Sequence, residues 1–211
     1  MLNIHYIHCF VLGINSINHG TAAFVSFHHT KPVGFGEGGA IIIDKKYEAA
    51  VLQCVNFGYD VPKGNVRWLP QGSNFKMSDV QAAFIYAYLD TFQDIVKAQK
   101  SLYEKLKCAI VNLGIDIKLL PNFSSATPFT SCFPILFGPS IEEDFIKLVA
   151  NEDSIDIRKY YKPLVPVRGL APVSHDIYDR IVCFPCHTQM KHEDISKVLS
   201  IVQKIYRALN N

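Results

Sequence analysis

The stretch Ala22-Ala-Phe-Val-Ser-Phe-His-His-Thr-Lys31-Pro-Val-Gly-Phe-Gly-Glu-Gly-Gly39-Ala-Ile-Ile-Ile43 decides how this chain is read. Two apolar, partly β-branched runs, roughly 22 to 27 and 39 to 43, predict strands. Between them lies a turn with three glycines and one lysine. Such a turn holds an amine where a small molecule can reach it. If its surroundings suppress protonation, that amine becomes a Schiff-base nucleophile. The plainer reading is a solvated lysine in a β-turn.

Gly34-Phe-Gly36-Glu-Gly-Gly39 also fits the G-x-G-x-x-G string of dinucleotide sites. A true fingerprint leads into a helix whose N-terminus meets the pyrophosphate. Here the strand-like Ala40-Ile-Ile-Ile43 follows, so the glycines are read as permitting positive φ and close backbone approach beside Lys31.

Outward from this loop, Asp44 to Phe57 reads as a helix, with Tyr47, Ala50, Val51, Cys54 and Val55 on one face. Gly58 to Gly72 is a loop holding the lone Trp68. Ser78-Asp-Val-Gln81 has the form of a capping box. Apolar residues from Val80 through Phe84, Tyr88, Ile95, Leu102 and Ile110 then keep helical spacing to a stop at Gly114. Short elements follow: strands at 115 to 120, 131 to 137, 155 to 157 and 180 to 184. A helix opens at a second capping box, Ser140-Ile-Glu-Glu143, and a last helix runs from His192 to Leu209. There are no internal repeats. The domain expectation is a large-domain portion at 1–77, a long connecting helix at 78–114, and a small α+β domain at 115–211.

Composition sets the class. Of 211 residues, 49% are hydrophobic and 19% charged, which suits a globular core and argues against a disordered tail. Twenty-one basic residues against 19 acidic give a net charge of +2, too balanced to suggest nucleic acid or an anionic membrane as partner. No run approaches the ~20 apolar residues of a spanning helix. Met1 to Leu12 has no basic residue ahead of its apolar part, unlike a secretory signal. The six cysteines sit mostly among apolar neighbours and read as free buried thiols of a cytoplasmic protein. Cys183-Phe-Pro-Cys186-His187 matches the haem-attachment string C-x-x-C-H, but its flanks favour two cysteines at a strand end. No His, Cys, Asp and Glu set has metal spacing, so no metal is expected and His28 and His29 receive no ligand role.

The wording of several separate segments resembles one family. Ser26-Phe-His-X-Thr-Lys31 with Gly36-Glu-Gly-Gly39 is similar to the lysine segment of the DegT/StrS-type sugar aminotransferases, fold-type I enzymes that use pyridoxal phosphate (PLP). The likeness continues in Gly72-Ser-Asn-Phe-Lys-Met-Ser-Asp-Val-Gln-Ala-Ala83, in Ile157-Arg-Lys-Tyr-Tyr-Lys-Pro-Leu164 and in Cys183-Phe-Pro-Cys-His-Thr-Gln-Met190. It runs from about residue 15 to the C-terminus, in the family's order.

The resemblance implies an α/β fold: part of a fold-type I PLP-transferase large domain, a long connecting helix and a small α+β C-terminal domain. It implies that Lys31 carries the PLP and that the serine at position 26 bonds its phosphate. Against the latter stands a strand serine paired with backbone. It implies that Asn74 reaches a neighbouring subunit's phosphate, where the alternative is an ordinary turn asparagine. Lys76 would add positive charge toward that anion, or be solvated. His187 would lie near the substrate. The implied acceptor is a nucleotide-linked keto sugar, with glutamate as the amino donor, in a homodimer or with a complementing polypeptide. A carboxylate for the pyridine nitrogen comes, in that family, from well before the lysine, whereas no Asp or Glu here precedes Glu37. A catalytically inactive interaction or regulatory protein of the same descent is therefore the alternative function.

Overall fold

The computed structural model describes residues 4–5, 22–31, 34–59, 68–120 and 130–210. Cys9, Pro32, Val33 and most of the Trp68 loop (residues 60–67) lie outside the described residues. The chain forms two compact units, Met1–Phe92 and Gln93–Asn211. Their boundary falls within the segment expected as a connector, 78–114.

The first unit is built on a three-stranded sheet, order β1-β2-β3. Strand β1 (Ile4–His5) pairs in parallel with β2 (Ala22–Ser26), which pairs antiparallel with β3 (Gly39–Ile43). The β2–β3 register joins Ala22 to Ile43 and Ser26 to Gly39. Both strands lie where the β-branched runs predict them. Ala22, Ala23 and Phe27 are buried, while Ile41 and Ile42 of β3 are exposed.

A single 3-10 turn (Lys45–Tyr47) then leads into α1 (Glu48–Val55). On the predicted helix face Tyr47, Val51, Cys54 and Val55 are half-buried, whereas Ala50 is exposed. Isolated bridges link Asn56 to Asn74 and Tyr59 to Trp68.

Helix α2 (Asp79–Asp90) begins where Ser78 predicts, and the Ser78 hydroxyl accepts the Gln81 backbone N–H at 3.2 Å. The reciprocal half of the box is absent, because the Gln81 side chain bonds elsewhere. Only Ile85 of α2 is buried. Val80, Phe84 and Tyr88, expected on the packed face, are exposed. The long helix predicted to Gly114 is two helices. Helix α2 ends at Thr91, whose backbone leaves helical geometry and whose hydroxyl donates to the Tyr88 carbonyl. Helix α3 (Phe92–Val111) then starts afresh.

The second unit has an antiparallel sheet, order β4-β5-β6, from β4 (Ile117–Leu119), β5 (Cys132–Phe137) and β6 (Ile181–Pro185). Phe133 faces Phe184 and Ile135 faces Val182 in register. The period of two puts these on one face, within the main core, and Leu136, Ile181 and Cys183 on the other. Helix α3 presents Leu102, Tyr103, Leu106 and Ile110 to that core, and α6 (His192–Asn210) presents Val198, Ile201, Val202 and Ile205. Both sets keep the i, i+3, i+4 spacing of an amphipathic helix.

Helix α4 (Glu143–Glu152) starts later than the Ser140 box predicts. Its N-cap is Glu142, with no side-chain cap, so Ser140 does not serve. Residues 155 to 157 form no strand, and the backbone instead makes one bridge, Arg158 to Cys183. Helix α5 (Pro172–Arg180), preceded by a 3-10 turn (Arg168–Leu170), was not anticipated. Proline at its first position is preorganised for a helix start. Among the described residues no helix is long and apolar enough to cross a membrane.

Candidate functional site

The β2–β3 connection is a backbone-held loop. Beyond the strands the ladder continues: Phe27 N–H donates to the Gly38 carbonyl at 2.9 Å, Phe35 N–H to Phe27 at 3.0 Å, and His29 N–H to Gly36 at 2.8 Å. A last tight turn closes with Lys31 N–H on the His28 carbonyl, also at 2.8 Å. The lysine thus stands at the tip of a hairpin whose shape is fixed by its main chain. Lys31 itself is half-buried.

The glycines earn their places by contact. A Cβ on Gly34 would lie 2.1 Å from the His28 carbonyl oxygen, a backbone atom that cannot step aside. Gly36 sits at φ +64°, the left-handed region where side chains are disfavoured. The first turn of α2 braces the same loop. Gln81 Nε2 donates to the Phe35 carbonyl at 3.0 Å, and the Phe35 and Phe84 rings stack with centroids 4.2 Å apart.

Ser26 ends β2 at the base of this loop, exposed, with its Oγ accepting weakly from His28 N–H at 3.4 Å. Its hydroxyl keeps capacity for a further partner. Asn74 is exposed and bridges Asn56 through the backbone, which leaves its amide side chain to solvent-facing partners. Lys76, two residues on, donates to Asn56 Oδ1 at 3.0 Å and lies 5.0 Å from the centre of the Phe57 ring.

Sequence spacing suggested no metal cluster; in the loop, three candidate donors nevertheless come close together. His28 Nε2 lies 3.2 Å from Glu37 Oε1, and the His28 and His29 ring centroids are 4.1 Å apart. One ligand atom from each of His28, His29 and Glu37 falls within 4.8 Å of the other two. The signal was invisible in the string because the fold, not adjacency, brings Glu37 back across the hairpin.

His187 belongs to the second unit, exposed, its carbonyl accepting Met190 N–H at 3.0 Å in the turn after β6. The preceding cysteines are strand residues. Cys183 lies in β6 and Cys186 follows it, both buried. Hydrogen bonding with Cys132 and burial push the Cys183 thiol up, and burial pushes Cys186 up to about 12. Neither has the acidity of a redox or metal-ligating thiolate. Among the described residues, the expectation of buried thiols holds for these two. Cys108 is exposed, and Cys54 and Cys132 are half-buried.

Comparison with known proteins places these motifs together. The DegT/DnrJ/EryC1/StrS aminotransferase family matches residues 12–203, a span that includes Ser26, Lys31, Asn74 and His187. The chain is 29% identical over 206 residues to the dTDP-4-amino-4,6-dideoxy-D-glucose transaminase of Shigella dysenteriae, covering 90% of this chain and 54% of that protein. Among solved structures it is similar to the aminotransferase TlmJ from Streptoalloteichus hindustanus (TM-score 0.76, 17% identity, 91% of this chain and 54% of that one). It is also similar to DesV of S. venezuelae, solved with a ketimine intermediate (TM-score 0.72, 18% identity, 88% and 51%). The chain spans about half the length of these relatives.

Proposed function

This chain belongs to the DegT/DnrJ/EryC1/StrS aminotransferase family, and from that premise we propose that it serves a PLP-dependent aminotransferase acting on nucleotide-linked keto sugars, with Lys31 as the cofactor-bearing amine. The observation that carries the reading is the placement of Lys31 at the tip of a backbone-bonded hairpin, within the matched span. Glutamate is the proposed amino donor, and the proposed setting is the cytoplasm.

The aldehyde and phosphate ends of the cofactor fit the residues present. Lys31 is the group that would attach it, and the Ser26 hydroxyl at the base of the same hairpin would donate to a phosphate oxygen. Bound PLP supplies the electron sink for moving an amino group. Around it, Lys31 Nζ would hold and return a proton, and the glycines would let the backbone approach closely. Asn74 is proposed for a phosphate across a subunit interface. His187 is proposed to face substrate.

The ring end must be met from elsewhere. No Asp or Glu precedes Glu37, and Glu37 is engaged with His28 at 3.2 Å. A carboxylate for the pyridine nitrogen is proposed to come from further residues of the same or of a complementing polypeptide. The exposed apolar side chains of Val80, Phe84 and Tyr88 on α2, and of Ile41 and Ile42 on β3, support a covering partner of that kind.

The test is borohydride trapping after incubation with PLP, followed by peptide mapping. It is run on the chain alone and on the chain co-expressed with a polypeptide carrying the aspartate-bearing half of a full-length relative. Pyridoxyl attachment at Lys31 in either preparation, with a violet-edge absorption band lost in Lys31→Ala, supports the assignment. Indiscriminate labelling of surface lysines, or none in both preparations, overturns it. That result would leave the inactive interaction protein as the reading.

A further inference from the structure

Alternation along a strand sends neighbouring side chains to opposite faces, yet the imidazoles of His28 and His29 lie with centroids only 4.1 Å apart. The turn closed by Lys31 N–H on the His28 carbonyl brings them together. Across the hairpin, Glu37 reaches back to His28 Nε2 at 3.2 Å. His29 stands at the one unspecified position of the Ser-Phe-His-X-Thr-Lys string, so the lysine motif itself does not call for it.

We propose that His28, His29 and Glu37 form a zinc-type metal site on the loop that carries Lys31. Two imidazoles and one carboxylate are a donor set for a borderline first-row cation, whereas magnesium and calcium prefer all-oxygen shells. With metal–ligand bonds of about 2.0–2.1 Å, ligand atoms in a tetrahedral site stand roughly 3.4 Å apart. The His28–Glu37 pair already has that spacing, and all three donors lie within 4.8 Å. Closing the set needs at most about 1.4 Å of side-chain movement from His29, which is exposed. Water completes the shell.

The Thr30 hydroxyl lies 2.8 Å from His28 Nδ1, and Thr30 N–H also approaches that nitrogen at 3.3 Å. In the ion-free loop Nδ1 accepts and Nε2 carries the proton toward Glu37. On loading, Nε2 sheds its proton and gives its lone pair to the metal while Nδ1 takes up a proton from solvent, so the ring stays neutral. Nδ1–H then donates to Thr30 Oγ1, whose hydroxyl rotates to accept. The ion would clamp both arms of the hairpin, residues 28–29 on one and 37 on the other, and so restrain the turn holding Lys31. This does not rest on the lysine's proposed chemistry.

The experiment uses the full chain without affinity-tag histidines, titrated with cobalt(II) as a spectroscopic probe and then with zinc in competition. The expected result is one ion per chain, with the visible absorption of a four-coordinate nitrogen–oxygen cobalt site, displaced by zinc. His29→Ala and Glu37→Gln should each weaken binding by about tenfold or more, while His192→Ala, on the other unit, leaves it unchanged. Circular dichroism shows whether each variant is folded, and if His29→Ala is not, Glu37→Gln decides. Binding that survives both loop substitutions, falls equally in His192→Ala, or is absent from the wild type overturns the proposal.

Discussion

The side-chain amide of Gln81, in the first turn of α2, donates to the carbonyl of Phe35 in the glycine loop at 3.0 Å. It joins two segments 46 residues apart in sequence and diverts Gln81 from the capping role its spacing suggested. Gln81→Ala removes this tie and keeps the Ser78 cap, which uses the Gln81 backbone. Amide hydrogen exchange should quicken in the loop, at Phe27, His29 and Phe35, with a loss of about 1 kcal/mol in stability. Ser78→Ala should instead quicken exchange at the start of α2. Equal protection of the loop in both variants would argue that the side-chain bond is immaterial.

Among the described residues of the second unit, Gln99 is the buried polar one, 3% exposed, with its Nε2 donating to the carbonyls of Thr130 and Cys186. Gln99→Leu leaves both oxygens without that donor and should lower stability by about 1–3 kcal/mol. Leu106→Ala, at a fully buried core position, opens a cavity worth about 2–5 kcal/mol. Urea unfolding measures both. A neutral Gln99→Leu would mean water or a backbone shift satisfies the carbonyls.

Thiol labelling should divide the cysteines by burial and acidity. Cys108 is exposed and should react first with an aromatic disulfide reagent in the native state. Cys183 and Cys186 are buried, and Cys186, held up at about 12, has almost no thiolate at neutral pH. Both should be silent until denaturant is added. Early modification of Cys186 would show that the β6 end opens in solution.

Arg168 grips Asp179 with two hydrogen bonds, at 2.7 and 3.0 Å, and this guanidinium holds the carboxyl below its usual range. A carboxylate whose folded pKa is depressed stabilises fully above its unfolded value and loses that contribution as pH falls through the folded one. The difference in melting temperature between wild type and Arg168→Ala should therefore be constant near neutrality. It should shrink on acidification below about pH 4, and shrink with salt at any pH. A gap that widens in acid would contradict the sign.

Much of this could be read from the string where local chemistry and tertiary packing agree. Strands β2 and β3 announce themselves through β-branched residues, and Ser78 through its capping geometry. Helix α6 is clear because Val198, Val202 and Ile205 repeat on one face. The reading failed where a local signal was overridden or silent. The apolar period runs through Asp90 and Thr91 without a break, so the division into α2 and α3 could not be seen. Helix α5 buries none of its side chains and so has no stripe to detect. Ser140 matched a box by spacing, but the helix begins after Glu142. Of the candidate site, the hairpin that carries Ser26 and Lys31 was legible from the strands on either side. The gathering of His28, His29 and Glu37 was not, since only the hairpin's closure returns residue 37 to residue 28.

The hairpin tip owes its form to main-chain bonds from Phe27, His29, Lys31 and Phe35, none of which involves the lysine's own side chain. Scaffold and reagent are thus separable. A lineage could discard the amine and inherit the bend intact, which is how a retired enzyme keeps a familiar outline. By the same logic a protein engineer could install a bioorthogonal handle at residue 31 and expect the surrounding backbone to accept it.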